Sequence, residues 1–267
     1  MREYYRAVRN QKEFHHHHMQ KLGGRVYAHV GPFDRGITAL RNDGFALSSA
    51  RDIAEEKLLD HHHHPLITDF QILVAENFNY FPNGDILIAS RAYNPLLKTG
   101  AAEKATDCHR NGNEFYLDEQ VARDLFERAE LDPEKALRSG VLALPRTAIK
   151  GDLLEIPTTA FKEEPVTYFL FRDVAKPYGR FLKDADVDKI PVFVVDENYA
   201  KKQERPFSRA FFLDPLWLKD ERNDLYEAAG LTGDDDTLHE ALAVIGMRPV
   251  STERTNLRTM LNSPTSP

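Results

Sequence analysis

The chain has a single cysteine, Cys108, in 267 residues. No internal disulfide can form, which fits a reducing compartment. No apolar run approaches the ~18 residues that a membrane-spanning helix needs. The first residues, MREYYRAVRNQKEF, contain no hydrophobic stretch of signal-peptide type. Blocks of five or more Lys/Arg do not occur and the formal net charge is −7, so the whole molecule is no general electrostatic match for nucleic acid. Gly23-Gly24 and Gly31 fit neither a dinucleotide-binding nor a P-loop fingerprint. Tandem repeats and long low-complexity linkers are missing as well. With 42% hydrophobic and 29% charged residues, the expectation is a soluble, cytoplasmic globular protein with no membrane partner.

Histidine is where the chain is rich. Two runs, His15, His16, His17, His18 and His61, His62, His63, His64, hold eight of the eleven histidines. Imidazole is the commonest protein metal ligand, suited to zinc, nickel and copper. Adjacent residues do not share a face, however. In an extended segment His61 and His63 point one way, and His62 and His64 the other. In a helix only His61 and His64 meet. Each run therefore offers about two ligands to one metal, and a closed tetrahedral set needs both runs, or one run plus a carboxylate such as Asp60 or Asp69. Pro65 biases His64 away from helix. Insertion into polar loops explains the runs as well, because excising them leaves the flanks QKEF–MQKL and EKLLD–PLIT reading smoothly. Protonating all eight would carry the formal charge from −7 to about +1, although mutual repulsion would spread that titration.

The element pattern predicts an α/β or α+β fold. Arg25–Val30 reads as a strand, and a helix capped at Ser48 or Ser49 runs to about Asp60. Ser49 with Asp52 resembles a capping box, and Ile53, Ala54, Lys57 and Leu58 follow at helical spacing. A β-hairpin is expected over about 70–91, turning at Pro82-Asn83-Gly84-Asp85. Residues 100–112 read as a loop. Asp118 starts a helix to about Glu130, and Asp132-Pro133 starts a shorter one that stops at Gly140. The continuous apolar run Val166–Phe171 reads as a buried strand, Asp173–Ala185 as a helix, Ile190–Val195 and Phe207–Leu213 as strands. That is βαβ-like alternation over about 166–213. Two terminal helices, Asp220–Ala229 and Asp236–Ile245, each stop at a glycine. Prolines near 145–165 suggest a hairpin-containing region 1–150, a βα-rich region 151–254 and a disordered tail 255–267, unless the whole is one domain.

Three further clusters carry candidate chemistry. Asp107, Cys108, His109 and Glu114 lie within eight residues, with the flavour of nuclease sites in which histidine activates water and carboxylates hold a metal. No second His or Asn follows in the next helix, so a polar Asn-Gly turn leading into a capped helix is the better explanation of the stretch. Asp69, Glu76 and Asp85 sit on or beside the hairpin, where carboxylates could hold magnesium. Arg205 and Arg209, beyond the Ile190–Val195 strand, are candidate anion ligands, since open sheets gather ligands past their strand ends. The expected function is divalent-metal binding through the two runs, with a cofactor of Zn, Ni or Cu. The alternatives are a metal-dependent hydrolase using His109, Glu114 and Asp107, or a non-catalytic interaction or assembly protein, in which a homo-oligomer would fit.

Overall fold

A computed structural model describes residues 20–22, 26–59, 71–214, 217–219, 225–227, 230–234, 238–239 and 242–247. In chain order the strands and helices are β1 (Gln20–Leu22), β2 (Val26–Gly31), α1 (Phe33–Asn42), β3 (Ala46–Leu47), α2 (Ala50–Leu59), β4 (Ile72–Tyr80), β5 (Ile86–Ala89), α3 (Ala101–Arg110), β6 (Phe115–Tyr116), α4 (Glu119–Arg128), β7 (Ala129–Glu130), α5 (Pro133–Ser139) and β8 (Val141–Leu144). There follow β9 (Leu153–Pro157), α6 (Pro165–Phe171), α7 (Ala175–Asp184), β10 (Lys189–Phe193), α8 (Glu197–Lys202), β11 (Phe207–Leu213), β12 (Trp217–Lys219), β13 (Leu225–Glu227), β14 (Leu231–Thr232) and β15 (Leu242–Met247).

β4 is the spine of the molecule. All nine of its residues are buried, because helices cover the sheet on both faces. Ile72, Val74, Phe78 and Tyr80 belong to a core shared with α2, α6 and α7. Leu73 and Ala75 point the other way, into a core with α1, α3 and α4. That split follows from the two-residue period of a strand. The main path of the sheet runs β1-β2-β15-β4-β11-β14-β10-β9, and the mixed sheet curls into a half-barrel. β4 lies between β11 and β15, so strands from both sides of the proline-bearing 145–165 stretch alternate within it. β5 pairs antiparallel with β4 across residues 81–85, in the register Tyr80↔Ile86.

Local capping chemistry sets several helix ends. The Ser49 amide donates to Asp52 at 2.9 Å and the Asp52 amide donates to the Ser49 hydroxyl at 3.1 Å, a reciprocal box that starts α2. The Asp132 carboxylate accepts from the amides of Glu134 and Lys135, and Gly140 closes α5 at φ 83°.

Four sequence expectations are corrected. Val166–Phe171 is not a strand but helix α6, with Pro165 in its first turn. It is apolar nearly all round because Val166, Thr167, Phe169, Leu170 and Phe171 are all buried, and a short continuous run carries no period to separate helix from strand. The parallel βαβ arrangement over 166–213 is therefore replaced. The helices α6 and α7 connect β9 to β10, which pair antiparallel, and β14 lies between β10 and β11. Residues 101–110 form a helix rather than a loop, its Ala101, Ala102 and Ala105 turned into the core.

At the C-terminal end, where two helices were expected, Leu225–Glu227 and Leu242–Met247 are strands. Gly246 is not a helix stop. It lets Leu40 of α1 press on the sheet, where an added Cβ would collide with the Leu40 side chain. The tail 255–267 lies outside the described residues. Among the described residues no helix is long and apolar enough to cross a membrane.

Candidate functional site

Where β11 ends, its register with β4, Leu213↔Ile72, sets Asp214 beside Gln71. The Gln71 side-chain amide donates to one Asp214 carboxylate oxygen at 3.0 Å, and the Thr232 hydroxyl donates to the other at 3.0 Å. The Asp214 amide donates to the Gly230 carbonyl at 3.0 Å. From α2 the Lys57 ammonium reaches the Asp214 backbone carbonyl at 3.4 Å. Lys57 and Asp214 are 5% and 4% exposed, and burial of a charge is costly unless it is paired and hydrogen-bonded. Burial lowers the Lys57 pKa to about 8, with the Asp214 charge opposing the shift. The cluster ties the C-terminal part of α2, the residue before β4 and the residue after β11 into one polar knot. Sequence reasoning placed Lys57 in the apolar stripe of its helix but did not single it out. A lysine at a core position was the available signal.

That knot brackets residues 60–70, which hold the second histidine run. The described anchor of the first run lies at the same end of the sheet. Gln20 of β1 pairs with Ala28 of β2, which pairs with Ile245 of β15. Ile72 of β4 pairs with Ala243 of β15, which pairs with Val30 of β2. The first residues of β1 and β4 are thus three strands apart, roughly 14 Å, and offset by only two residues in register. Traced backwards, both strands run toward the Gly31 end of β2. Both runs lie outside the described residues. Among the described residues, no group of three or more His, Cys, Asp or Glu is placed to hold a metal ion.

The 107–114 candidates separate. Asp107 and His109 are on α3. The Asp107 side chain is exposed and ion-paired with Arg110, while His109 lies on the buried face. Glu114 follows the helix and is buried. The structure brings it to Arg209, a residue of a different sequence cluster. Arg209 grips both Glu114 carboxylate oxygens, through Nε at 3.2 Å and through Nη2. The Tyr199 hydroxyl adds a 2.6 Å bond to Glu114. The Arg209 guanidinium lies 5.6 Å from the Tyr199 ring centroid and 5.8 Å from that of Phe207, and its Nη1 donates to the Asp234 carbonyl. Burial, with donation to Glu114, pushes the Tyr199 pKa up to about 12. This is a desolvated, bidentate ion pair closed by an aromatic pair.

Arg205 does not join it. Arg205 donates to the Leu117 carbonyl at 3.0 Å and lies 5.6 Å from the Tyr116 ring centroid. Of the hairpin carboxylates, Asp69 is outside the described residues and Asp85 is exposed, bonded to Asn83. Glu76 is buried and accepts the Ala50 amide at 2.9 Å at the start of α2. Burial pushes its pKa up to about 7, with that amide bond opposing.

No family model matches the chain, and no curated protein matches it. A solved structure described as "Accommodation of massive sequence variation in Nanoarchaeota by the C-type lectin fold" is similar, with a TM-score of 0.56 and 12% identity over 88% of this chain and 99% of that one. At that identity the likeness concerns the fold alone, a C-type-lectin-like arrangement.

Proposed function

We propose that the chain is a non-catalytic binding protein that takes one divalent transition metal (zinc, nickel or copper) through the two histidine runs at one end of its sheet. The observation that carries this reading is the register through β2 and β15, which sets the starts of β1 and β4 at the same end. Counted along the chain, His18 is two residues from Gln20, His61 is two residues from Leu59, and His64 is seven from Gln71. At ~3.3–3.6 Å per residue these tethers span the ~14 Å between the strand starts. Two imidazoles from each run make the four-nitrogen set that either run lacks alone. The Lys57–Asp214 knot holds both ends of the 60–70 segment to this end, which limits the entropy lost on closing the site.

Thermal unfolding of the full chain tests this. Zinc added after chelator treatment should raise Tm, saturating at one equivalent, with a gain of about 2.7 kcal/mol once free metal reaches a hundred times Kd. A Tm indifferent to both zinc and chelator would sink the proposal.

The hydrolytic reading has less support. The Glu114 oxygens are taken by Arg209 and Tyr199, while Asp107 and His109 occupy opposite faces of α3. A second reading, an interaction or assembly protein, draws on the C-type-lectin-like fold, since the similar structure is described as accommodating massive sequence variation. Self-association seen by sedimentation, abolished by surface substitutions, would favour it.

A further inference from the structure

We propose that the recess between α7 and residues 158–163 binds a small molecule carrying at least one phosphate group. The recess is about 230 Å³ in volume and is lined by Thr158, Thr159, Lys162, Lys176, Arg180 and Lys183, with Phe161, Glu163 and Gly179 completing the wall.

Its construction begins at Gly179. A Cβ there would collide with the Thr158 carbonyl oxygen and sit 3.0 Å from the Phe161 Cβ. The bare glycine lets the α7 backbone rest directly on the 158–161 segment. Lys176 and Lys183 lie about one turn to either side of that contact, and Arg180 follows it. Positions 176, 180 and 183 are spaced i, i+4 and i+7, so the three cations share one flank of the helix. The buried stripe of Ala175, Tyr178 and Leu182 faces the core instead. Phe161 anchors the opposite wall, its ring 6.2 Å from Tyr178 and 5.8 Å from Phe171. The floor is thereby packed, and the cations stand around it.

Charge then selects the ligand. Lys183 is engaged by Asp188. Among the described residues the side chains of Lys162, Lys176 and Arg180 make no ion pair or hydrogen bond, and Glu163 is the one carboxylate of the wall. Three unpaired cations converge here on a chain whose formal net charge is −7. Like charges so gathered repel one another, and a concave, same-sign recess concentrates anions. Glu163 offsets one of the three cations, leaving a charge of about +2 that one phosphate group, at about −1.5 to −2, matches, whereas a single carboxylate leaves half of it unmatched. Arg180 supplies the planar fork and the lysines supply mobile point charges. The proposal rests on nothing in the histidine runs.

The test is calorimetric titration of the full chain with pyrophosphate, in buffer free of divalent cations so that no metal bridges the ligand to a histidine. The expected result is one site with Kd at or below about 1 mM, weakening as NaCl rises. The Lys176→Ala/Arg180→Ala double variant, both positions being exposed, should weaken binding at least tenfold. A Lys135→Ala/Arg138→Ala control on α5 should leave it unchanged. ATP binding as tightly as inorganic triphosphate would show that the phosphates alone are read, and tighter ATP binding that the nucleoside adds contacts; both support the site. No heat with pyrophosphate, or equal affinity in wild type and the double variant, overturns it.

Discussion

Replacing Lys57 with methionine together with Asp214 with asparagine should stabilise the protein at neutral pH. The lysine is buried, and its pKa falls from 10.5 to about 8 because burial disfavours the ammonium. At pH 7 that shift corresponds to a cost of roughly 3 kcal/mol relative to the unfolded chain. The compensating contacts are modest: a 3.4 Å bond to the Asp214 carbonyl and the Asp214 charge, whose carboxylate is also held by Gln71 and Thr232. Methionine matches the length of the stem and asparagine keeps partners for Gln71 and Thr232, so replacing both charges together should gain about 1–3 kcal/mol at pH 7, whereas Lys57→Met alone strands the buried Asp214 carboxylate. The pH dependence follows from the sign. A depressed lysine pKa means that the unfolded chain binds more protons between pH 8 and 10.5, so wild-type stability rises across that window and falls as pH drops through 8. The variant should lack that rise. Urea unfolding at pH 7, 8.5 and 10 reads both effects. A variant less stable than wild type at pH 7, or one that keeps the alkaline rise, would refute the reasoning.

Two further substitutions probe the buried charges. Glu76, raised to about 7 mainly by burial, makes the protein lose about 3 kcal/mol as pH rises from 4.5 through 7. Glu76→Gln should flatten that loss while still accepting the Ala50 amide, and equal slopes in urea unfolding at pH 4.5 and 8 would contradict it. Arg209→Ala strands Glu114 in the interior and should cost about 3–5 kcal/mol. Adding Glu114→Gln should recover part of that loss, and strict additivity in the double-mutant cycle would show that the pair does not act as a unit.

What was legible in the sequence was chemistry confined to a few neighbouring residues. Ser49 and Asp52 bond to each other across three positions, and Asp132, Pro133 and Gly140 mark both ends of one short helix. Such signals need no tertiary context. Val166–Phe171 failed because burial on nearly every side erases the helical period. Leu242–Met247 failed because its strand partners, β2 and β4, lie far back in the chain. The same distance hid the site. Lys57 and Asp214 are 157 residues apart, and Glu114 and Arg209 are 95 apart. Glu114 and Arg209 each stood out for its chemistry, yet only the β11 register and the approach of residue 114 after α3 make them partners. The common end shared by the anchors of the two histidine runs likewise depends on β15 sitting between β2 and β4, which no local pattern encodes.

The central claim is that the two runs act on one metal together. Zinc titration of the full chain, compared with variants in which His15–His18 or His61–His64 are replaced by alanine, measures this most directly. The account predicts one equivalent bound by the wild type, and loss of that tight site when either run alone is replaced. Two independent weak sites, each surviving removal of the other run, would contradict it.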